Sequence, residues 1–441
     1  VVKKYSDFIE YPIRLVSEDE DGEEKTETLN SQKPIWTRPA SEISTEEHAE
    51  FYRHLTHDWK EPLATIHFHA EGTSEYTALL YIPRERPLDL FDPSHAKSRV
   101  HLYVKRVFIM EDSEELLPVW LRFVRGVVDS QDLPLNVSRE TLQHNRQMGR
   151  IQKRLTSKVL DTLSRLQRDD RDGYSSFWDA FGIVLKEGIY YDAERAEEIA
   201  KLALFETTHT PEAGDAEPGE GEPGQDTRTT LVEYVERMPV KQKEIYVLVA
   251  DDLAHAKRSP HLEALRAKGF EVLLLTDPVD EFWLQRLTSF ADHPIRRVDR
   301  GEVDLEDEAD KEKRTEKEKE YESLLEAIRK ELSEHVETVR FTGRLQQSPA
   351  CLVDPENALP PQLRRMLREQ GQSVPEDKRI LELNPSHPLV KRLADLAADE
   401  AHYDRFAEAC ELLLGTALVT EGATPPDPAR YGELVSKLLL A

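Results

Sequence analysis

Two cysteines in 441 residues, Cys351 and Cys410, are too few for a disulfide framework and fit a reducing compartment, with both thiols packed in the interior. Long apolar runs are lacking too. No stretch of 18 apolar residues occurs, and the opening VVKKYSDF has no signal-peptide core, which excludes a spanning helix and leaves the cytoplasm as the expected location. Positive charge is in deficit. Lys and Arg number 59 against 86 Asp and Glu, a formal net charge of -27, so a nucleic-acid backbone is excluded as principal partner. GxxxxGK[ST], HExxH, CxxC and GxSxG are all absent, which removes the common phosphate, metal and nucleophile signatures. His54, His57, His67 and His69 cluster in sequence, and His67 and His69 alternate as on one strand face. They lack a third ligand at a sensible spacing, so no metal is expected.

What is present is enough chain for about three compact units, each able to bury a core. The expected fold class is α/β (α+β), in four stretches. Residues 1–140 form a large α/β unit, with strands in YTALLYIP (76–83) and RVHLYVKRVFIM (99–110) and a helix over 45–58 starting at the Ser44/Thr45 cap. Between those strands, RPLDLF sets Leu88, Leu90 and Phe91 in a proline-punctuated loop, where exposed apolar side chains could make contacts. Residues 141–230 form a helical connector ending in the Gly-, Pro- and acid-rich run 206–230, read as a mobile loop. Residues 231–305 form a small α/β unit. There a strand (244–251), a helix (259–269, with Ser259 as cap, Pro260 next and Gly269 as stop) and a strand (270–277) imply parallel pairing. Asp251 and Asp277 end these strands and read as helix caps, since no glycine-rich loop follows. Residues 306–441 form a mixed α/β C-terminal domain. It begins with a charged stretch and then a stripe of Tyr321, Leu324, Leu325, Ile328, Leu332 and Val336.

Residues 122–143, RFVRGVVDSQDLPLNVSRETLQ, run from an apolar strand through a polar loop into a helix. Ser138 suits the N-cap, and Met148, Ile151, Leu155, Val159 and Leu163 continue an apolar helical stripe. Arg139 falls in the first helical turn, where the macrodipole disfavours a cation by roughly 0.3–1 kcal/mol unless the side chain points elsewhere. A permanently charged planar fork there suits an anion such as phosphate, and Gln143 lies one turn on along the same face.

GVVDSQDLPLNVSRETLQ closely resembles the middle-domain signature of the heat-shock protein 90 chaperones, and the likeness extends from KKYSDFI to the last helix. The resemblance implies an ATP-dependent chaperone of the stress response that binds unfolded or partly folded clients. In that family the residues matching Arg139 and Gln143 reach ATP held, with Mg²⁺, by an N-terminal domain. That domain is expected outside this sequence, so the chain is read as a fragment that binds no cofactor and hydrolyses no ATP alone. The resemblance further assigns client contacts to Trp36 and Trp59, to Phe282, Trp283 and Gln285, and to an amphipathic helix with Leu359, Leu363, Met366 and Leu367. From residue chemistry alone, Trp36, Trp59 and that amphipathic helix (360–372) read first as core. Adjacent Phe282 and Trp283 point about 100° apart on a helix, so one of them is expected at the surface.

Near the end, Phe406, Cys410, Leu413, Leu414 and Ala417 share one helical face, and after Asp427 a second helix carries Tyr431, Leu434, Val435, Leu438 and Leu439. Two such faces around a two-fold axis make a homodimer interface. Docking within one chain is the alternative. The chain closes on SKLLLA, without the acidic tail of eukaryotic cytosolic relatives, which points to the bacterial type. A different class of function, the transducer of a nucleic-acid-handling ATPase akin to type II topoisomerases, fits the α/β layout but not the acidic balance.

Overall fold

Alternating apolar and polar side chains between residues 64 and 130 become a five-stranded sheet, built from β1 (Ala64–Ala70), β2 (Tyr76–Ile82), β3 (Arg99–Val104), β4 (Val107–Met110) and β5 (Arg125–Ser130). The computed structural model describes residues 34–133 apart from 73 and 93–96, 146–210, 227–359 apart from 304 and 307, 371–372, 378–399 and 403–440, with 2, 7–8, 11–18 and 24–31. They fall into two compact units, Val1–Ala203 and Leu204–Ala441.

In the first unit the strand order is β1-β2-β5-β3-β4, antiparallel except for the parallel β3–β5 pair. Central β5 is buried along its whole length. Gly126 has φ of 150°, and a Cβ there would lie 2.3 Å from the Leu79 carbonyl oxygen, so only glycine lets β2 approach. The run 99–110, expected as strand, is a hairpin. Lys105 and Arg106 take φ of 51° and 65°, the left-handed pair of a two-residue turn, which the apolar alternation does not reveal.

Helix α1 (Thr45–Thr56) starts where expected, with Ser44 and Glu47 forming a reciprocal capping box. It lies on the sheet over a core of Trp36, Tyr52, Leu79, Tyr81, Tyr103 and Val127. Helix α2 (Arg146–Asp169) buries Met148, Ile151, Leu155, Val159 and Leu163, and α3 (Arg171–Tyr191) follows from the Asp170 cap. On α3, Glu187 takes a bidentate pair from Arg122 at 2.6 and 2.8 Å, and the same guanidinium donates to the Leu90 carbonyl at 3.1 Å. That clamp turns Leu90 inward to 3% exposure, whereas Leu88 and Phe91 stay outside.

The second unit holds the expected parallel pair, β6 (Ile245–Val249) beside β7 (Val272–Leu275), with β8 (His293–Arg297) parallel on the other side of β6. Between β6 and β7 the single expected helix arrives in pieces. An unforeseen helix, α4 (Leu253–Arg258), is capped by Asp252, and a 3-10 turn after Ser259 leads into α5 (Glu263–Ala267). Gly269 (φ 70°) stops it as expected. Of the run 206–230, residues 211–226 lie outside the described residues. Its flanks are pinned, since Phe205 and Thr229 exchange backbone hydrogen bonds of 2.8 and 2.9 Å.

Beyond, α6 (Glu308–Glu320) buries no side chain, and α7 (Glu322–Glu331) buries Leu324 and Ile328. A three-stranded sheet follows, of β9 (Val336–Phe341), β10 (Ala350–Val353) and β11 (Arg379–Leu383), with β11 central. Three helices close it: α8 (Pro388–Ala397), α9 (Tyr403–Thr420) and α10 (Pro428–Leu439), the last capped by Asp427 as expected.

Polar groups stitch the two sheets of this unit. Arg344 donates to the Val298 carbonyl and, at 2.8 Å, to that of Gly301, while its Nε lies 2.7 Å from Glu382 on β11. Glu263, at the start of α5, accepts the backbone N–H groups of Gln346 (2.6 Å), Gln347 (2.7 Å) and Ser348 (3.1 Å) and the Ser348 hydroxyl (2.6 Å). Burial alone would raise the Glu263 carboxyl. The Ser348, Gln347 and Gln346 hydrogen bonds outweigh it and hold the group below its ordinary range. A carboxyl lowered by folding stabilises above its unfolded pKa, and the gain is lost as pH falls through the folded value. Glu263→Gln should cost about 1.5–3 kcal/mol at pH 7, the range for hydrogen bonds to a charged group. In denaturant titrations the gap from wild type should close below about pH 4; a gap independent of pH would refute the charge-assisted account.

Candidate functional site

Strand β5 ends by delivering Asp129 and Ser130 to the base of the loop that carries Arg139. Ser138, Arg139 and Gln143 fall in 134–145, outside the described residues; the stem of the loop is described. Asp129 is buried, its Oδ2 accepting the Trp36 indole N–H at 3.0 Å and its Oδ1 the Arg106 backbone N–H at 3.0 Å. Burial pushes its carboxyl up, and these two hydrogen bonds oppose the shift. Ser130 Oγ accepts from the N–H groups of Asp132 and Leu133, both at 3.3 Å, and Asp132 takes the Glu75 N–H at 2.5 Å. Side-chain oxygens therefore satisfy the backbone as it leaves the sheet, and the base of the loop is fixed.

Of the two tryptophans assigned to client contact in this unit, Trp36 is core. It is fully buried, with Phe8 at 4.7 Å and Tyr103 at 4.9 Å between ring centroids. Its indole N–H finds a carboxylate 93 residues away, a partner that no local spacing reveals. Trp59 is the opposite case, 89% exposed. Its neighbour Lys60 pairs with Glu85, which ties the Trp59 loop to the loop bearing Leu88 and Phe91. The Arg86 guanidinium lies 5.2 Å from the centre of the Phe91 ring.

In the second unit Trp283 is also core, fully buried, its indole N–H donating to Asp280 at 2.6 Å. Phe282 is half-buried and Gln285 exposed, so of the two adjacent aromatics one is core and the other only partly reaches the surface. Leu359 is 38% exposed. Leu363, Met366 and Leu367 lie outside the described residues.

The C-terminal stripe needs correcting. Phe406, Cys410, Leu413, Leu414 and Ala417 all face inward, in one core with Leu324, Ile328, Phe341 and Leu352 of the same chain. The sheet β9–β11 and helix α7 already cover that face of α9. Leu434 is buried as well, and Tyr431 and Val435 are half-buried. Leu438 and Leu439 remain free, 68% and 81% exposed. Cys351 and Cys410 are free thiols in the interior, and burial pushes Cys410 up to about 12.

Sequence reasoning missed a cavity of about 410 Å³ at the carboxyl ends of β6, β7 and β8. Asp251 and Asp277 do line it, yet Asp252 is the residue that caps α4. Arg297 there is held by Glu281 (2.6 Å) and Asp299 (2.5 Å), and Arg379 by Asp354 (2.8 Å) and Glu421 (2.6 Å). Strand-end aspartates were the one available signal; arginines scattered over 80 residues gave none. Among the described residues no three His, Cys, Asp or Glu side chains converge as a metal site, and no helix is long and apolar enough to cross a membrane.

A family model described as "Hsp90 protein" matches residues 20–441. The chain is 47% identical over its full length to the Chaperone protein HtpG of Mycolicibacterium gilvum (strain PYR-GCK), covering 67% of that protein. It is 48% identical over its full length to the protein of that name from Nocardia farcinica (strain IFM 10152), covering 68%. For the one from Geobacter sulfurreducens (strain ATCC 51573 / DSM 12127 / PCA) the figures are 46% and 69%. The placement of the two tryptophans has a direct check in denaturant unfolding. Trp36→Ala should cost about 3–5 kcal/mol, as for other buried aromatics, and Trp59→Ala less than about 0.5 kcal/mol; equal losses would contradict the placement.

Proposed function

Because the chain belongs to the Hsp90 family of chaperones, we propose that it binds partly folded client proteins at an apolar surface around Trp59, pairs with a second copy through its last helix, and lends Arg139 to ATP hydrolysis. The observation that carries the client reading is the exposure of Trp59 on one loop, and of Leu88 and Phe91 on the loop that the Lys60–Glu85 pair ties to it. Large apolar side chains held in water on an anchored base suit a partner that itself exposes apolar surface. Phe282, Gln285 and Leu359 offer smaller contacts in the second unit. The family match leaves the topoisomerase-type transducer without a supporting observation.

For hydrolysis, ATP with its Mg²⁺ supplies the phosphoryl group and would be held by an N-terminal domain of the kind the family carries. Arg139 follows the stem fixed by Asp129, Ser130 and Asp132, and would set a permanent positive charge against the terminal phosphate, with Gln143 assisting. A guanidinium in that role acts on charge that builds in the transition state, so its loss falls on kcat more than on nucleotide affinity. In a protein joining this chain to such a domain, Arg139→Ala should lower kcat by roughly 10³-fold, the lower end for arginine fingers, with ATP affinity changed by less than about threefold. Equal loss of both would refute the assignment.

For self-association, the exposed pair Leu438 and Leu439 supports the last helix as the contact. Replacing both with Asp should weaken the dimer at least tenfold, about 1.4 kcal/mol, in sedimentation equilibrium. An unchanged dimer would move the interface elsewhere.

A further inference from the structure

The histidines that metal chemistry leaves unused are placed unequally. His69 Nε2 lies 3.8 Å from Glu71 and 3.9 Å from Glu75, so two carboxylates stand beside its ring. His67, two residues back on β1, has no such partner among the described residues. Its Nε2 bonds the Trp36 carbonyl at 3.0 Å, and its Nδ1 is sealed from solvent without a hydrogen bond. Facing it from α1 is His48, with ring centroids 6.2 Å apart, whose Nδ1 meets the Tyr81 hydroxyl at 3.1 Å.

The other charged and titratable groups around the pair are engaged. Glu47 on α1 is held by Arg38 at 2.5 Å and by the Ser44 cap, and Tyr52 donates to Asp58 at 2.9 Å. On β5, Asp129 is directed at Trp36 and Arg106. Tyr81 on β2 presents a neutral hydroxyl. We propose that His48 and His67 form an acid-operated release for α1: when both rings take up protons, their like charges part the helix from the sheet and uncover the aromatic cluster of Phe8, Trp36, Phe51 and Tyr103. That surface is distinct from the one around Trp59, so acid would add apolar contact area to a chaperone that already has some.

The direction of titration agrees. Burial lowers His48, helped by the charge of His67 and opposed by Glu47, and burial lowers His67, opposed by the Trp36 carbonyl. A histidine lowered by folding binds protons more readily once released, so docking is at full strength above about pH 6.5 and weakens as pH falls. His101, also lowered by burial, faces Glu111 and Asp112 and serves as a control.

Hydrogen exchange with mass spectrometry, corrected for intrinsic rates, tests this between pH 7.5 and 5.5. In the wild-type chain, protection over residues 45–56 should fall at least about tenfold, the equivalent of one pKa unit, while β2 and β5 keep theirs. His67→Gln and His48→Gln, each checked for folding at pH 7.5, should hold the loss under about threefold, and His101→Gln should behave as wild type. Unchanged protection in the wild type, equal loss in the two variants, or loss spread evenly over the sheet would each overturn the proposal.

Discussion

One buried ion pair sets the geometry of the second unit. Arg344 and Glu382 have side chains only 3% and 2% exposed, and neither could be left there alone. A lone buried charge costs about 3–5 kcal/mol, whereas a complete pair nearly balances its desolvation. The arrangement therefore selects more than it stabilises. The guanidinium fork fits when the carbonyls of Val298 and Gly301 stand at its far side, and that condition fixes where the end of β8 meets β11. Arg340 takes the remaining Glu382 oxygen at 2.7 Å, and Glu263 repeats the principle with backbone donors.

The first unit solves a similar problem with a neutral donor. Asp129 keeps its carboxyl inside the sheet by accepting from an indole and a backbone amide, and Trp36, packed on Phe51 of α1, becomes the link between α1 and the end of β5. The loop proposed to reach ATP leaves the sheet, up to Leu133, from a base with few degrees of freedom. Client contact, in contrast, is read on loops whose apolar side chains stand outside the core, so the stiff and the adaptable parts of the unit are separate.

Local physics was legible in the sequence. Ser44, Asp427 and Gly269 announced helix ends because capping needs only neighbouring residues, and the parallel β6–β7 pair followed from alternation and spacing. What failed depended on distance. The turn at Lys105–Arg106 has no glycine or asparagine to mark it, and Asp252, adjacent to a strand end, opened a helix that its apolar content did not suggest. Strand β11 and helix α8 went unread. The stripe on α9 was correctly seen as apolar but given to a second copy, because periodicity shows that a face must be covered and not by what. Trp36 and Trp283 looked alike to composition as Trp59 did; partners far along the chain separate them. Arg139 and Gln143 were assigned through family likeness alone and lie outside the described residues.

Helix α6 has no core face to hold it. Its helicity rests on residue propensity and on exposed charge pairs such as Lys313 with Asp310 at 3.0 Å. Such pairs weaken as dissolved ions shorten the reach of each charge. Helix α6 thus behaves as a strut whose stiffness is tuned by the surrounding electrolyte, a mechanical property written in its lysines and acidic side chains.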